Sequence, residues 1–175
     1  YFGIVNYGMT AVPLLPDFSP SEIEAILVHC GVDAIIVEEK LYSHIENIKN
    51  GMPSIVIRLD DFKILKGAQG SIEDFIHKPL PECNVSEEDT ASIIYTSGTT
   101  GRSKGVELTH KNLVWTAVQG QTIHRVNKMD RCLSFLPLSH VYEFTIGFTM
   151  QMMNGSCVYY LGKPPVVSAL IPAFA

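Results

Sequence analysis

The chain has 175 residues, 46% of them hydrophobic and 18% charged, with a net charge of −5 from 13 basic and 18 acidic side chains. That supplies enough apolar material for the core of one domain and argues against a disordered segment. The acidic balance, with no basic block, argues against a nucleic-acid binder, whose affinity rests on Lys and Arg neutralising backbone phosphates.

In chain order, residues 10–15 read as a short buried strand ended by Pro16 and Asp17. Ser19, Pro20, Ser21 and Glu22 then have the layout of a capping box with Pro at the first helical position. Ile23, Ile26, Leu27 and Cys30 recur at helical spacing, and Gly31 closes the helix. Residues 33–37 form a second strand, 39–48 a polar-faced helix and 54–59 a third strand. This β-α-β-α-β alternation predicts an α/β fold: a doubly wound, largely parallel sheet with flanking helices and right-handed crossovers.

Beyond residue 60 the pattern weakens. Residues 71–77 read as a short helix, and 78–90 as an acidic, Pro-containing connection whose Glu87, Glu88 and Asp89 face solvent. Residues 91–96 resume as strand, and 104–109 can return as its partner. An amphipathic helix follows over 110–125, with Leu113, Val114, Ala117 and Val118 on its apolar face. Residues 131–137 are strand, 141–153 a helix apolar on nearly all sides, and 156–161 a final strand. The organisation is thus a β-α-β portion over 1–77, a linker over 78–90 and a second portion over 91–175.

Four cysteines, Cys30, Cys83, Cys132 and Cys157, are isolated and lack metal-ligand or CxxC spacing, so reduced thiols are the natural expectation. Cys30 and Cys157 sit in apolar contexts and read as small core residues. No apolar run reaches the ~18 residues needed to span a bilayer, and no signal peptide is visible. Apolar sequence at both ends marks the chain as a piece of a larger protein.

Residues 95–109 carry the densest chemical signal. Between two strand-like runs stand Thr96, Ser97, Gly98, Thr99, Thr100, Gly101 and Arg102, with no apolar side chain among them, and Lys104 follows. Glycines permit close backbone approach, successive N–H groups can form an anion-binding nest, and Lys104 adds a point charge. A turn rich in small residues is the plainer alternative, but the density of hydroxyls, glycines and cations points to a polyphosphate. The spacing does not fit Walker A, because Gly98 and Gly101 precede Lys104 and then Gly105.

A second constellation, Leu136-Pro137-Leu138-Ser139-His140-Val141-Tyr142-Glu143, follows another strand. Both loops fall at strand carboxyl ends, where ligands of open α/β sheets gather. His140 suits pocket lining or a general base, and no second His or Cys at ligand spacing supports a metal. Glu143 can serve a helix dipole. Tyr142, Phe144, Phe148, Met150, Met152 and Met153 read as core, or as the wall of an apolar tunnel.

The stretch from Tyr95 to His110 resembles the phosphate-loop signature of the adenylate-forming (AMP-binding) superfamily. Leu136 to Glu143 is similar to its next motif, in the form of long-chain fatty acyl-CoA synthetases. The resemblance covers nearly all of the chain and implies part of the large N-terminal domain, with the C-terminal domain absent. It implies that the parent activates a fatty acid with ATP and transfers it to CoA, with Mg²⁺ as cofactor. By the same resemblance Ser97, Gly98, Thr99, Thr100, Gly101 and Lys104 embrace the β- and γ-phosphates, and Thr96 matches the Mg²⁺–phosphate position. Lys104, Thr96 and His140 are then the catalytic set, and His140, Val141 and Glu143 the acyl-binding set.

Two departures stand out: Ser103 where the family usually has Pro, and Phe144 where long-chain members often carry Arg. The family's downstream motifs and its C-terminal lysine are absent, so the chain alone is expected to be inactive. The implied partners are the small molecules ATP, fatty acid and CoA, in a cytoplasmic parent with room for peripheral membrane contact. An amino-acid or aryl-acid adenylating domain and a non-catalytic nucleotide-binding module are the alternatives. A Ser/His hydrolase ranks last, because Ser97 lacks the Gly-x-Ser-x-Gly elbow.

Overall fold

The computed structural model describes residues 1–67, 78–79, 82–96, 103–163 and 165–174. They divide into two compact units, Pro16–Glu82 and the combination of Tyr1–Leu15 with Cys83–Ala175.

In the first unit the sequence signals at Ser19 act as their chemistry dictates. The Ser19 hydroxyl accepts from the Glu22 amide, and the Ser19 N–H donates to Glu22 Oε2 at 2.8 Å. Helix α2 (Pro20–Cys30) follows, buries Ile23, Ile26 and Leu27, and ends at Gly31 with φ 58°. Strands β1 (Ala34–Val37) and β2 (Ile55–Arg58) pair in parallel, and β3 (Ile64–Lys66) adds antiparallel to β2. The connection between β1 and β2 carries a 3₁₀ helix, Glu39–His44, rather than the longer helix expected over 39–48. β3 had no counterpart in the sequence pattern. Arg58 donates to both oxygens of Asp61, at 2.8 and 2.6 Å, and also to Glu39.

The second unit opens with a single helical turn, α1 (Phe2–Val5). Residues 10–15 are not a continuous strand: only Ala11 bridges, donating to Ala91 and accepting from Ile93 on either side of Ser92. β4 (Thr90–Thr96) and β5 (Lys104–Thr109) form an antiparallel hairpin. Thr109 then caps helix α3 (His110–Ile123) through a reciprocal bond pair with Asn112. Val5, Ala11, Ala91, Leu113 and Phe144 form the core that fixes this hairpin against α3. Val114 and Val118, expected on the same apolar face as Leu113 and Ala117, are instead exposed.

β6 (Arg131–Ser134) and β7 (Cys157–Tyr160) pair in parallel. The helix between them, expected as one run over 141–153, opens into a π-helix at Glu143–Thr149 and closes as α4 (Met150–Met153). Phe144 and Met150 are buried, whereas Tyr142, Met152 and Met153 are exposed. A last helix, α5 (Val167–Ala173), lies where the sequence offered only an apolar segment. Cys30 is half-buried and Cys157 exposed, so Cys157 is not the core residue its neighbours implied.

The α/β class with flanking helices therefore holds. Among the described residues the strands lie in three small sheets, with two parallel and two antiparallel pairings. The expected helix over 71–77 lies outside the described residues.

Candidate functional site

The hairpin β4–β5 positions the first set of residues. Ala91, Ile94 and Tyr95 are buried, which anchors β4 in the core up to its last residue but one. Tyr95 pairs with Gly105, and a Cβ at Gly105 would lie 3.2 Å from the Tyr95 ring carbon Cζ. Glycine there lets the ring cross the partner strand. The next pair is Thr96 with Lys104, both exposed at the open end of the ladder.

Among the described residues Lys104 makes no salt bridge, in contrast to Lys111, which contacts Glu87 at 3.2 Å and also Glu88. A solvated ammonium and a hydroxyl thus flank the two ends of the intervening connection. Ser97, Gly98, Thr99, Thr100 and Gly101, the other residues expected to bind phosphate, lie outside the described residues.

The second set follows β6. The His140 N–H donates to the Pro137 carbonyl at 2.9 Å, and His140 Nδ1 accepts from the Tyr142 N–H at 3.3 Å. With Nδ1 acting as acceptor, the neutral imidazole carries its proton on Nε2. The ring is exposed, so this nitrogen is available to a ligand.

Val141 is half-buried and, with Leu108, Leu113, Tyr142, Thr145 and Ile146, lines a largely apolar groove of about 370 Å³. Leu108 belongs to the hairpin and Val141 to the His140 segment, so the two motifs meet along one groove. Of the expected site residues among those described, only Val141 lines it.

Glu143 is 4% exposed, at the first residue of the π-helix. Its carboxylate lies on the Cα of Gly147: a Cβ there would be 2.4 Å from Oε1. Burial, with the Glu143 charge adding to it, pushes both the Cys132 thiol and the Tyr160 phenol upward. The sequence reading singled out Glu143 but neither Gly147 beneath it nor the groove residues Thr145 and Ile146. A glycine inside an apolar helical run was the available signal, since such a glycine commonly marks a close approach.

A family model described as AMP-binding enzyme matches residues 1–173. Long-chain-fatty-acid–CoA ligase 4 of Saccharomyces cerevisiae is 38% identical over 117 residues, which is 66% of this chain and 16% of that protein. Long-chain-fatty-acid–CoA ligase ACSBG2 of Gallus gallus is 27% identical over 187 residues, 97% of this chain and 24% of that protein. Among solved structures, an anthranilate CoA ligase, AuaEII, in complex with anthranoyl-AMP superposes with a TM-score of 0.78 at 28% identity. That match covers 97% of this chain and 34% of the other. The chain therefore spans about a sixth to a quarter of the length of these curated relatives.

Proposed function

This chain belongs to the AMP-binding enzyme family, and we propose that its parent protein is an ATP-dependent acid–CoA ligase acting on long-chain fatty acids. The observation that carries the reading is the Thr96–Lys104 pair, which holds a hydroxyl and a solvated ammonium at the two ends of a connection made only of small and polar residues.

The reaction has two displacements. A fatty-acid carboxylate oxygen forms a bond to the α-phosphorus of ATP while the bond to the β-phosphate oxygen breaks, giving an acyl-adenylate and pyrophosphate. The CoA thiol then attacks the acyl carbon, loses its proton and expels AMP, leaving the thioester. Lys104, with the backbone and hydroxyls of Ser97, Gly98, Thr99, Thr100 and Gly101, holds the β- and γ-phosphates and offsets the charge that builds on the departing pyrophosphate. His140, with Nε2–H exposed, orients the acid beside Val141, and the apolar groove takes part of its chain.

Magnesium fits the chemistry of the Thr96 hydroxyl, an oxygen donor of the kind that ion takes. Among the described residues no cluster of three His, Cys, Asp or Glu could hold a metal, and the Thr96 hydroxyl would hold the ion together with the bound nucleotide. When bound, the ion supplies charge neutralisation at the triphosphate. Among the described residues no helix is long and apolar enough to cross a membrane. We place the parent in the cytoplasm, meeting its lipid substrate at a membrane surface.

The test is fatty-acid-dependent pyrophosphate exchange by the parent, compared in Lys104→Ala and Thr99→Ala. Unchanged exchange in both variants would reject the phosphate role. A second reading, an aryl-acid ligase, is favoured by the likeness to the anthranoyl-AMP complex. Exchange driven by aryl acids and not by fatty acids selects it.

A further inference from the structure

The sequence contains two Asn-Gly pairs, Asn50-Gly51 and Asn154-Gly155. Asparagine followed by glycine is prone to lose its side-chain amide, because glycine brings no Cβ to shield its own nitrogen from the neighbouring carboxamide. In that reaction the glycine nitrogen bonds to the asparagine Cγ and gives its proton to solvent base. The Cγ–Nδ2 bond breaks, ammonia leaves, and a five-membered succinimide remains. Water then opens the ring at either carbonyl, giving aspartate or, with the main chain rerouted through the side chain, isoaspartate. Asparagine and water become an acid and ammonia, with no oxidant and no cofactor.

The fold treats the two pairs differently. Both carboxamides are held: Asn50 Nδ2 donates to Glu24 Oε1 at 2.8 Å, and Asn154 Nδ2 to the Met150 carbonyl at 2.7 Å. The attacking nitrogens set them apart. Gly155 N–H donates to the Met152 carbonyl at 3.2 Å, in the turn that closes α4, and Asn154 is half-buried. Gly51 N–H has no hydrogen-bond partner among the described residues, and Asn50 and Gly51 are both exposed. Attack at 154 must first break a backbone hydrogen bond, whereas attack at 50 breaks none. Nucleophile, leaving group and water meet at residue 50.

Residue 50 is also where the change alters packing. Asn50 gives Glu24 two donors, its backbone N–H at 2.9 Å and its side chain at 2.8 Å, and so fastens the turn to α2. Gly51 lies against the α2 backbone, where a Cβ would be 2.6 Å from the Val28 nitrogen. An aspartate at 50 sets a carboxylate against the Glu24 carboxylate, so an attraction becomes a repulsion. Lys49 also acts on Glu24, but more weakly than either Asn50 donor, and does not replace the one lost. Isoaspartate adds a carbon to the main chain beside Gly51, where α2 leaves little room.

We propose that Asn50-Gly51 is a site of spontaneous deamidation, and that the acid formed there loosens the turn from α2. The Pro16–Glu82 unit then loses stability as the protein ages. The ligase reading plays no part in this, since neither the reaction nor its effect involves a nucleotide or an acid substrate.

The test ages the parent protein in mildly alkaline buffer and follows both peptides by mass spectrometry after digestion. The peptide holding residue 50 is expected to gain the mass of an amide turned acid several-fold faster than the peptide holding residue 154. Equal rates, or a faster change at 154, overturn the proposal. Asn50→Gln keeps a carboxamide but disfavours the ring, so conversion at residue 50 should fall several-fold; conversion at the original rate overturns the proposal too. Asn50→Asp installs the product directly, and its melting temperature should lie a few degrees below that of the unsubstituted parent. An unchanged or raised value overturns the loosening from α2, and the aged unsubstituted protein, melted alongside, decides the same point should the variant fail to fold.

Discussion

Thr96 and Lys104 are the last register partners of the β4–β5 hairpin, so the ends of the connection over residues 97–103 are held about 5 Å apart by the ladder itself. The ammonium side chain therefore has a fixed backbone origin. Replacing Lys104 with Ala in the parent should lower fatty-acid-dependent pyrophosphate exchange by about 10²–10³-fold, the usual cost of removing one charge-stabilising donor. Steady-state exchange rates at saturating ATP check this, and a loss below tenfold would demote the residue.

Gly51 has φ 72°, and a Cβ there would lie 2.6 Å from the Val28 nitrogen and 2.9 Å from the Leu27 carbonyl carbon. Both atoms are backbone of α2, which cannot swing aside as a side chain can. Gly51→Ala adds a left-handed backbone penalty of about 1–2 kcal/mol to an overpacking penalty of about 1–3 kcal/mol. Denaturant unfolding should show a loss of at least ~2 kcal/mol.

Ser19 satisfies an orphan amide at the start of α2, with Glu22 returning the favour. Ser19→Ala should destabilise by about 1 kcal/mol and Ser19→Gly by only a few tenths, the ranking expected of an N-cap. Equal losses in the two variants would mean that the helix start is held by something else.

Asp61 is depressed from 3.8 to about 2, chiefly by its hydrogen bonds from Arg58. A carboxyl whose folded pKa is lowered stabilises the fold above its unfolded value, and that contribution disappears as pH falls through the folded one. Asp61→Asn should therefore flatten the acid limb of stability between about pH 4 and pH 2, as read from urea midpoints. The pair is solvated, so the effect should be small and should shrink in high salt.

Local chemistry made much of this structure legible. The Ser19 capping box, Gly31 and the 91–96/104–109 hairpin each depend on residues close in sequence, and each formed as read. The misreadings share a different cause. Residues 10–15 have strand composition, yet only Ala11 finds a partner, because pairing depends on where a distant strand lies. The 141–153 segment is helical in period, but Gly147 under the Glu143 carboxylate goes with a wider turn that periodicity does not encode. Of the proposed site, Thr96, Lys104 and His140 were singled out from motif alone. The seating of the Glu143 carboxylate on Gly147 was not, since a glutamate and a glycine four residues apart announce no close approach until the backbone is in place.

The parallel pair β6–β7 has a further consequence. Among the described residues each of these strands has one hydrogen-bonded neighbour, so each leaves a flank of amides and carbonyls unsatisfied by protein. Tyr159 and Tyr160 stand exposed beside them. Produced by itself, this stretch of polypeptide should stick to copies of itself through those flanks, growing more turbid with concentration.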